Sequence, residues 1–190
     1  MMKQILLNIK LTRQDMQRIM RQYRFAETDE EMLTSISSAV EPLLRPVCWY
    51  EETGEQRGCI VTLGPYVDDL EELYQKAGAM SEAYGLACIA MELLRKAYEG
   101  LSEQLQSECG RGIARYLFFG EHRPWEEMKE LLESSGQKTV RCNPAGMLLP
   151  KKSVVFLAQL KAPGCGQAAE LCDSCGNLSC MSRREGEGKN

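Results

Sequence analysis

The 190-residue sequence holds a single histidine, His122, so a metal site built from several imidazoles is excluded. It contains no G-x-S-x-G, G-x-G-x-x-G or G-x-x-x-x-G-K-[ST] run. That removes the nucleophile elbow, the dinucleotide fingerprint and the phosphate loop from consideration. No apolar stretch approaches the roughly 18 residues of a membrane span. The opening MMKQILLNIKLTRQDM has too short an apolar run for a secretory leader, so a cytoplasmic protein with no membrane partner is expected. A net charge of −4 leaves no broad basic surface, and a nucleic-acid partner is not expected.

Cysteine, by contrast, is plentiful. There are nine, and in a reducing cytoplasm they read as free thiols or metal ligands rather than as a disulfide frame. Cys48, Cys59, Cys88, Cys109 and Cys142 are scattered and read as small hydrophobes. Cys165, Cys172, Cys175 and Cys180 crowd the C-terminal end in GCGQAAELCDSCGNLSC. Three readings of this quartet stay open. Its thiolates can ligate zinc or an iron–sulfur cluster, they can serve as redox-active thiols, or the tail carries no ligand. The C-x6-C-x2-C-x4-C spacing departs both from paired C-x2-C knuckles and from ferredoxin spacing.

The pattern along the chain alternates helices and strands without a strict βαβ repeat, which predicts an α+β fold. Thr12 with Asp15 marks a helix start, and Thr28 with Glu31 a capping box opening a second helix through Met32, Ile36, Val40 and Leu43. Val47–Tyr50 and Cys59–Leu63 read as strands joined by a polar turn and ended by Gly64-Pro65. A short acidic helix over Asp68–Lys76 precedes a long one over Met80–Leu105, whose core stripe is Ala83, Ala87, Ala90, Leu94, Ala97 and Leu101. Between Ala83 and Leu94 the only charge is Glu92. A carboxylate in so apolar a segment either meets a partner or lines a cleft. A strand over Ile113–Phe119, a helix from Pro124 to about Ser135, a short strand over Thr139–Cys142 and a strand over Ser153–Leu160 complete the folded pattern. Residues 1–161 are expected to form one domain, and 162–190 a cysteine-rich tail.

Three stretches together resemble the activation domain of cobalamin (vitamin B12)-dependent methionine synthase in its short stand-alone form. Thr62-Leu63-Gly64, followed by Leu86-Ala87 and Glu92, is similar to the family's L-A-x-x-x-A-E run. Gly112-Ile113-Ala114-Arg115 is similar to its arginine-bearing strand. Met147 to Val154 is similar to its M-x-P-x-x-S-V motif. The tail is similar to the family's C-x-x-C…C-x-R ending through Cys172, Cys175, Cys180 and Arg183.

The resemblance implies a twisted antiparallel sheet with packed helices and a shallow groove for S-adenosylmethionine. It implies that Glu92, Arg115, Pro150 and Ser153 bind that cofactor, with Arg115 on its carboxylate. It also implies a role as accessory component of a methyltransferase system, assisting reductive remethylation of cobalamin held by a partner. That partner would be cobalamin-dependent methionine synthase or a related corrinoid methyltransferase, with a flavodoxin-like electron donor. His122 sits in Gly-Glu-His-Arg, outside the Asp-x-His-x-x-Gly context of corrinoid carriers, so the cobalamin would be the partner's. The family's Pro-Gly-Tyr after the arginine is replaced by Tyr116-Leu117-Phe118-Phe119-Gly120. A different class of function therefore stands beside the first: an interaction or metal-binding module without the S-adenosylmethionine groove.

Overall fold

Residues 2–162, 169–180 and 183 are described by the structure, a computed structural model. A five-stranded antiparallel sheet is its centre, formed by β1 (Met2–Leu6), β2 (Val47–Glu51), β3 (Gln56–Thr62), β4 (Ile113–Phe118) and β7 (Ser153–Leu160) in the order β1-β2-β3-β7-β4. A separate two-stranded ribbon joins β5 (Arg141–Cys142) to β6 (Leu148–Leu149). The class is α+β, as the element pattern predicts.

Alternation along the strands sorts side chains onto two buried faces. Cys48, Tyr50, Cys59, Val61, Tyr116 and Phe156 face the helical layer. That layer contains α1 (Arg13–Gln22), α2 (Glu30–Val40), α3 (Tyr66–Lys76) and α4 (Met80–Cys109). Val47, Trp49, Ile60 and Val155 face the other way, against Met128, Leu131 and Leu132 of α5 (Trp125–Ser134) and against Val140. With both faces covered, the strands read as near-continuous apolar runs, as in Cys59–Val61.

α4 lies across the first face. Leu86, Ile89, Ala90, Ala97, Leu101 and Leu105 are wholly buried, and the helix ends at Gly110, whose left-handed φ of 65° and bond to the Gln106 carbonyl close its last turn. The predicted stripe is right except at Ala87, which is only half-buried, and the apolar segment is not buried all round, because Met80, Tyr84 and Met91 emerge into solvent along one edge. An aromatic knot ties α4 to the sheet. Tyr98 lies 5.2 Å from Phe156 and 5.8 Å from Tyr116, and Tyr116 5.4 Å from Phe156, centroid to centroid.

Three local features differ from the sequence reading. β1 was not expected: Lys3 and Gln4 interrupt its apolar residues, and it exists because β2 offers it an edge from Val47 to Glu51. The second helix is not opened by Thr28 and Glu31. Instead the Asp29 carboxylate accepts the Ala26 N–H at 2.9 Å, and a 3-10 turn over Glu27–Asp29 leads into α2. β4 carries a bulge, since Ile113 faces Leu160 and Arg115 faces Gln159. Ala114 is the extra residue, and past it the side-chain alternation is reversed.

A four-residue helix α6 (Leu171–Ser174) of the tail packs on β4. It covers an edge strand that would otherwise offer unpaired amides. Ala169 N–H donates to the Ile113 carbonyl at 2.7 Å, and Tyr116 N–H donates to the Ser174 hydroxyl at 3.1 Å. Phe118 N–H donates to His122 Nδ1 at 3.1 Å. The one histidine is thus a strand-edge cap.

Phe156, fully buried at the centre of the knot, is the test of this core. Phe156→Ala should lower the unfolding free energy by about 3–5 kcal/mol, measured by urea denaturation. A loss under about 1 kcal/mol would mean that the knot is not packed as described.

Candidate functional site

Glu92 is 5% exposed and sits where α4 meets α1. The sequence leaves two fates for it, a partner or a cleft, and the geometry gives it partners. Arg95, one turn along α4, donates through Nε to Glu92 Oε2 at 3.2 Å and through Nη2 to Oε1. Arg18 of α1 donates to Oε1 from the other side. Arg18 also reaches Asp15, itself 4% exposed, and Lys96 Nζ lies 2.8 Å from Asp15 Oδ2. Asp15 in turn accepts from the Thr12 N–H at 2.7 Å and the Thr12 hydroxyl at 2.8 Å. The Thr12–Asp15 capping box that begins α1 therefore also fastens α1 to α4.

Each ionisation in this cluster is a balance. Burial alone pushes the Asp15 carboxyl up, but the bonds from Lys96 and Thr12 outweigh it and bring the group from its ordinary 3.8 to about 2. Burial likewise opposes ionisation of Glu92, and the Arg95 and Arg18 guanidiniums prevail and hold it below the usual carboxylate range.

Arg115 stands elsewhere. The bulge at Ala114 turns Tyr116 and Phe118 toward the helical layer, so Arg115 is exposed on the opposite face of the sheet from Glu92. Phe119, at the place of the family's glycine, is buried in the second core with Met128.

Pro150 and Ser153 form a third locality. Ser153 Oγ is 2.7 Å from Thr62 Oγ1, which also accepts the Gly64 N–H at 3.1 Å. The Leu63 N–H donates to the Lys152 carbonyl at 3.0 Å, and the Lys151 N–H to Asp68 at 2.6 Å. Gly64 has a φ of +91°, and a Cβ there would lie 2.8 Å from Arg45 Cβ, so this turn requires glycine. Ser153 stands six positions along β7 from Gln159, the partner of Arg115, which is about 20 Å at a strand's rise per residue. The structure brings Pro150 and Ser153 together with Thr62–Gly64. It sets Arg115 apart from them along the sheet, and on the opposite face from Glu92.

A different concavity lies on the helical side, at the junction of α4, β4 and the tail. It encloses about 400 Å3 and is lined by Arg95, Glu99, Ser102, Tyr116, Glu170 and Cys172 among others, a volume within the usual range for small-molecule sites. Burial pushes the Tyr116 hydroxyl up to about 12 despite a bond from Ser102. Burial also drives Tyr98, at the floor, well above its ordinary value. Both phenols are therefore neutral hydrogen-bonding groups at physiological pH. Sequence reasoning missed this cleft because it exists only once the tail docks on β4. The one readable trace was Arg95, three residues from a buried glutamate on the same helix face.

Of the tail cysteines, Cys172, Cys175 and Cys180 are free thiols, half-buried. Cys165 lies outside the described residues. Among the described residues no three Cys, His, Asp or Glu side chains are grouped to hold a metal ion, and no helix is long and apolar enough to cross a membrane. Cys48, Cys59 and Cys88 are buried, as expected of small hydrophobes, and burial pushes their thiols up. Cys109 and Cys142 are only half-buried. Compared with known proteins, the chain matches no family model and no curated sequence.

The charge cluster has a signature in acid. Asp15 ionises near 2 when folded and near 3.8 when unfolded, so its contribution is complete above the unfolded value and is lost as pH falls toward 2. Unfolding free energy should decline over that interval, and Asp15→Asn should flatten the decline while lowering stability at neutral pH. Denaturant titrations at stepped pH measure both. An unchanged slope in Asp15→Asn would contradict the assignment.

Proposed function

We propose that the chain is an accessory protein of a cobalamin-dependent methionine synthase. It docks on the cobalamin-bearing part of that partner and assists S-adenosylmethionine-dependent reductive remethylation, with the electron coming from a flavodoxin-like donor in the cytoplasm. The observation that supports this reading most is the meeting of two of the resembling stretches. Thr62-Leu63-Gly64 and the run from Met147 to Val154 are far apart in sequence, yet they interlock through Ser153 and Lys152. The antiparallel sheet with helices on it is the architecture that the resemblance implies. Met147, 59% exposed at the tip of this locality, gives a docking surface an apolar contact.

Within this reading, docking is favoured over a cofactor groove of the family's kind. The Glu92 carboxylate is already held by two guanidiniums, and Arg115 lies across the sheet from it. The chain's own residues then serve to orient a partner rather than to hold the methyl donor.

The test is reactivation of a purified cobalamin-dependent methionine synthase whose cofactor has been oxidised to cob(II)alamin, with S-adenosylmethionine and titanium(III) citrate. Recovery of the methylcobalamin spectrum should be faster with this protein present than without it. An unchanged rate, together with no co-migration of the two proteins in gel filtration, would overturn the proposal. Calorimetric titration of S-adenosylmethionine into the isolated chain separates the two forms of the reading. Saturable binding that Arg115→Ala abolishes would restore the groove, whereas no binding agrees with docking.

A further inference from the structure

The tail brings a thiol pair to the mouth of the cleft. Cys172 stands on α6 and Cys175, three residues on, caps its end, where the Cys175 N–H points to the Cys172 carbonyl at 3.4 Å. Residues joined across such a turn have Cα atoms within about 7 Å, the separation that a disulfide spans. The turn is anchored on both sides. Ser174 accepts the Tyr116 N–H at 3.1 Å, the Gly176 N–H donates to Glu121, and Arg183 donates to the Cys175 carbonyl at 3.0 Å.

The two thiols have different surroundings. Cys172 lines the cleft of about 400 Å3, open to an incoming molecule. Cys175 follows α6 directly and is half-buried. The remaining described cysteines lack this arrangement. Cys48, Cys59 and Cys88 are sealed in the core. Cys109 donates to the Leu105 carbonyl at 3.0 Å, and Cys142 to the Asn143 carbonyl at 3.4 Å. Cys180 lies outside the turn.

We propose that Cys172 and Cys175 are a thiol–disulfide exchange pair, with Cys172 meeting a substrate disulfide in the cleft and Cys175 resolving the intermediate. In the oxidising direction the Cys172 sulfur attacks one sulfur of the substrate disulfide. That S–S bond breaks, and one substrate thiol leaves with the Cys172 proton. The Cys175 sulfur then attacks Cys172 Sγ, the mixed disulfide breaks, and the second substrate thiol leaves with the Cys175 proton. The protein dithiol loses two electrons and two protons, and the substrate disulfide gains them. The reverse direction reduces a disulfide on a partner. The pair stands independently of the methionine synthase reading, since nothing in it uses cobalamin.

The probe is oxidised glutathione. The full chain, purified anaerobically, is equilibrated in glutathione buffers of graded oxidised-to-reduced ratio, then alkylated and mapped by mass spectrometry. Oxidation should remove two hydrogens per chain and link Cys172 to Cys175. In Cys175→Ser a glutathione adduct should accumulate on Cys172, and in Cys172→Ser the adduct on Cys175 should be lost. A link from Cys172 to any other cysteine would overturn the proposal. So would a dithiol that stays reduced even in excess oxidised glutathione with no reduced glutathione present, or zinc or iron held stoichiometrically by these two thiols in the purified protein.

Discussion

A carboxylate cannot remain charged and alone in an apolar interior, and the helical layer is arranged around that requirement at Glu92. The middle of α4 is buried because it covers the sheet, and Glu92 is buried with it. Arg95 is available on the same helix, but it also bonds Glu99 at the surface. Arg18 completes the neutralisation, which fixes where α1 must cross α4. Asp15 then compensates Arg18 and engages Lys96, so each charge in the cluster has an opposite. Such a cluster need not be more stable than an apolar one of equal volume, but losing one member leaves a buried charge uncompensated. Its effect is to specify one docking of α1.

The sheet imposes the second constraint. Because β4 carries one extra residue at Ala114, Arg115 and Tyr116 exchange the faces that simple alternation from Ile113 would assign them. Tyr116 joins Phe156 and Tyr98 in the core, and Arg115 is left on the far side. The same strand is the edge on which the tail docks. The cleft is therefore a product of the bulge: Tyr116 is inside to line it, and the Tyr116 amide is free to receive Ser174.

Much of the fold is legible in the residues. The β2–β3 hairpin, β7, α3, α4 and α5 follow from apolar periodicity and from Gly64-Pro65 and Pro124, with ends displaced by a few residues. The capping box at Thr12 is written locally and found as written. What is not legible depends on distant partners. β1 is defined by the edge of β2, and α6 by β4. The Ala114 bulge is a register shift that no local pattern marks. The site divides in the same way. That Glu92 is buried follows from its neighbours, and Arg95 from helix spacing, but Arg18 is a tertiary partner. The motif order suggests one groove for Glu92, Arg115, Pro150 and Ser153, and the bulge puts Arg115 on the other face of the sheet from Glu92.

The most direct measurement is a double-mutant cycle between Glu92 and Arg18, using Glu92→Gln, Arg18→Gln and the double variant in urea denaturation. If the two side chains neutralise one another across the α1–α4 contact, the cycle should give a coupling of about 1–3 kcal/mol. Additivity within about 0.5 kcal/mol would mean that Glu92 is not held by Arg18, and that this charge pair does not fix the docking of α1 on α4.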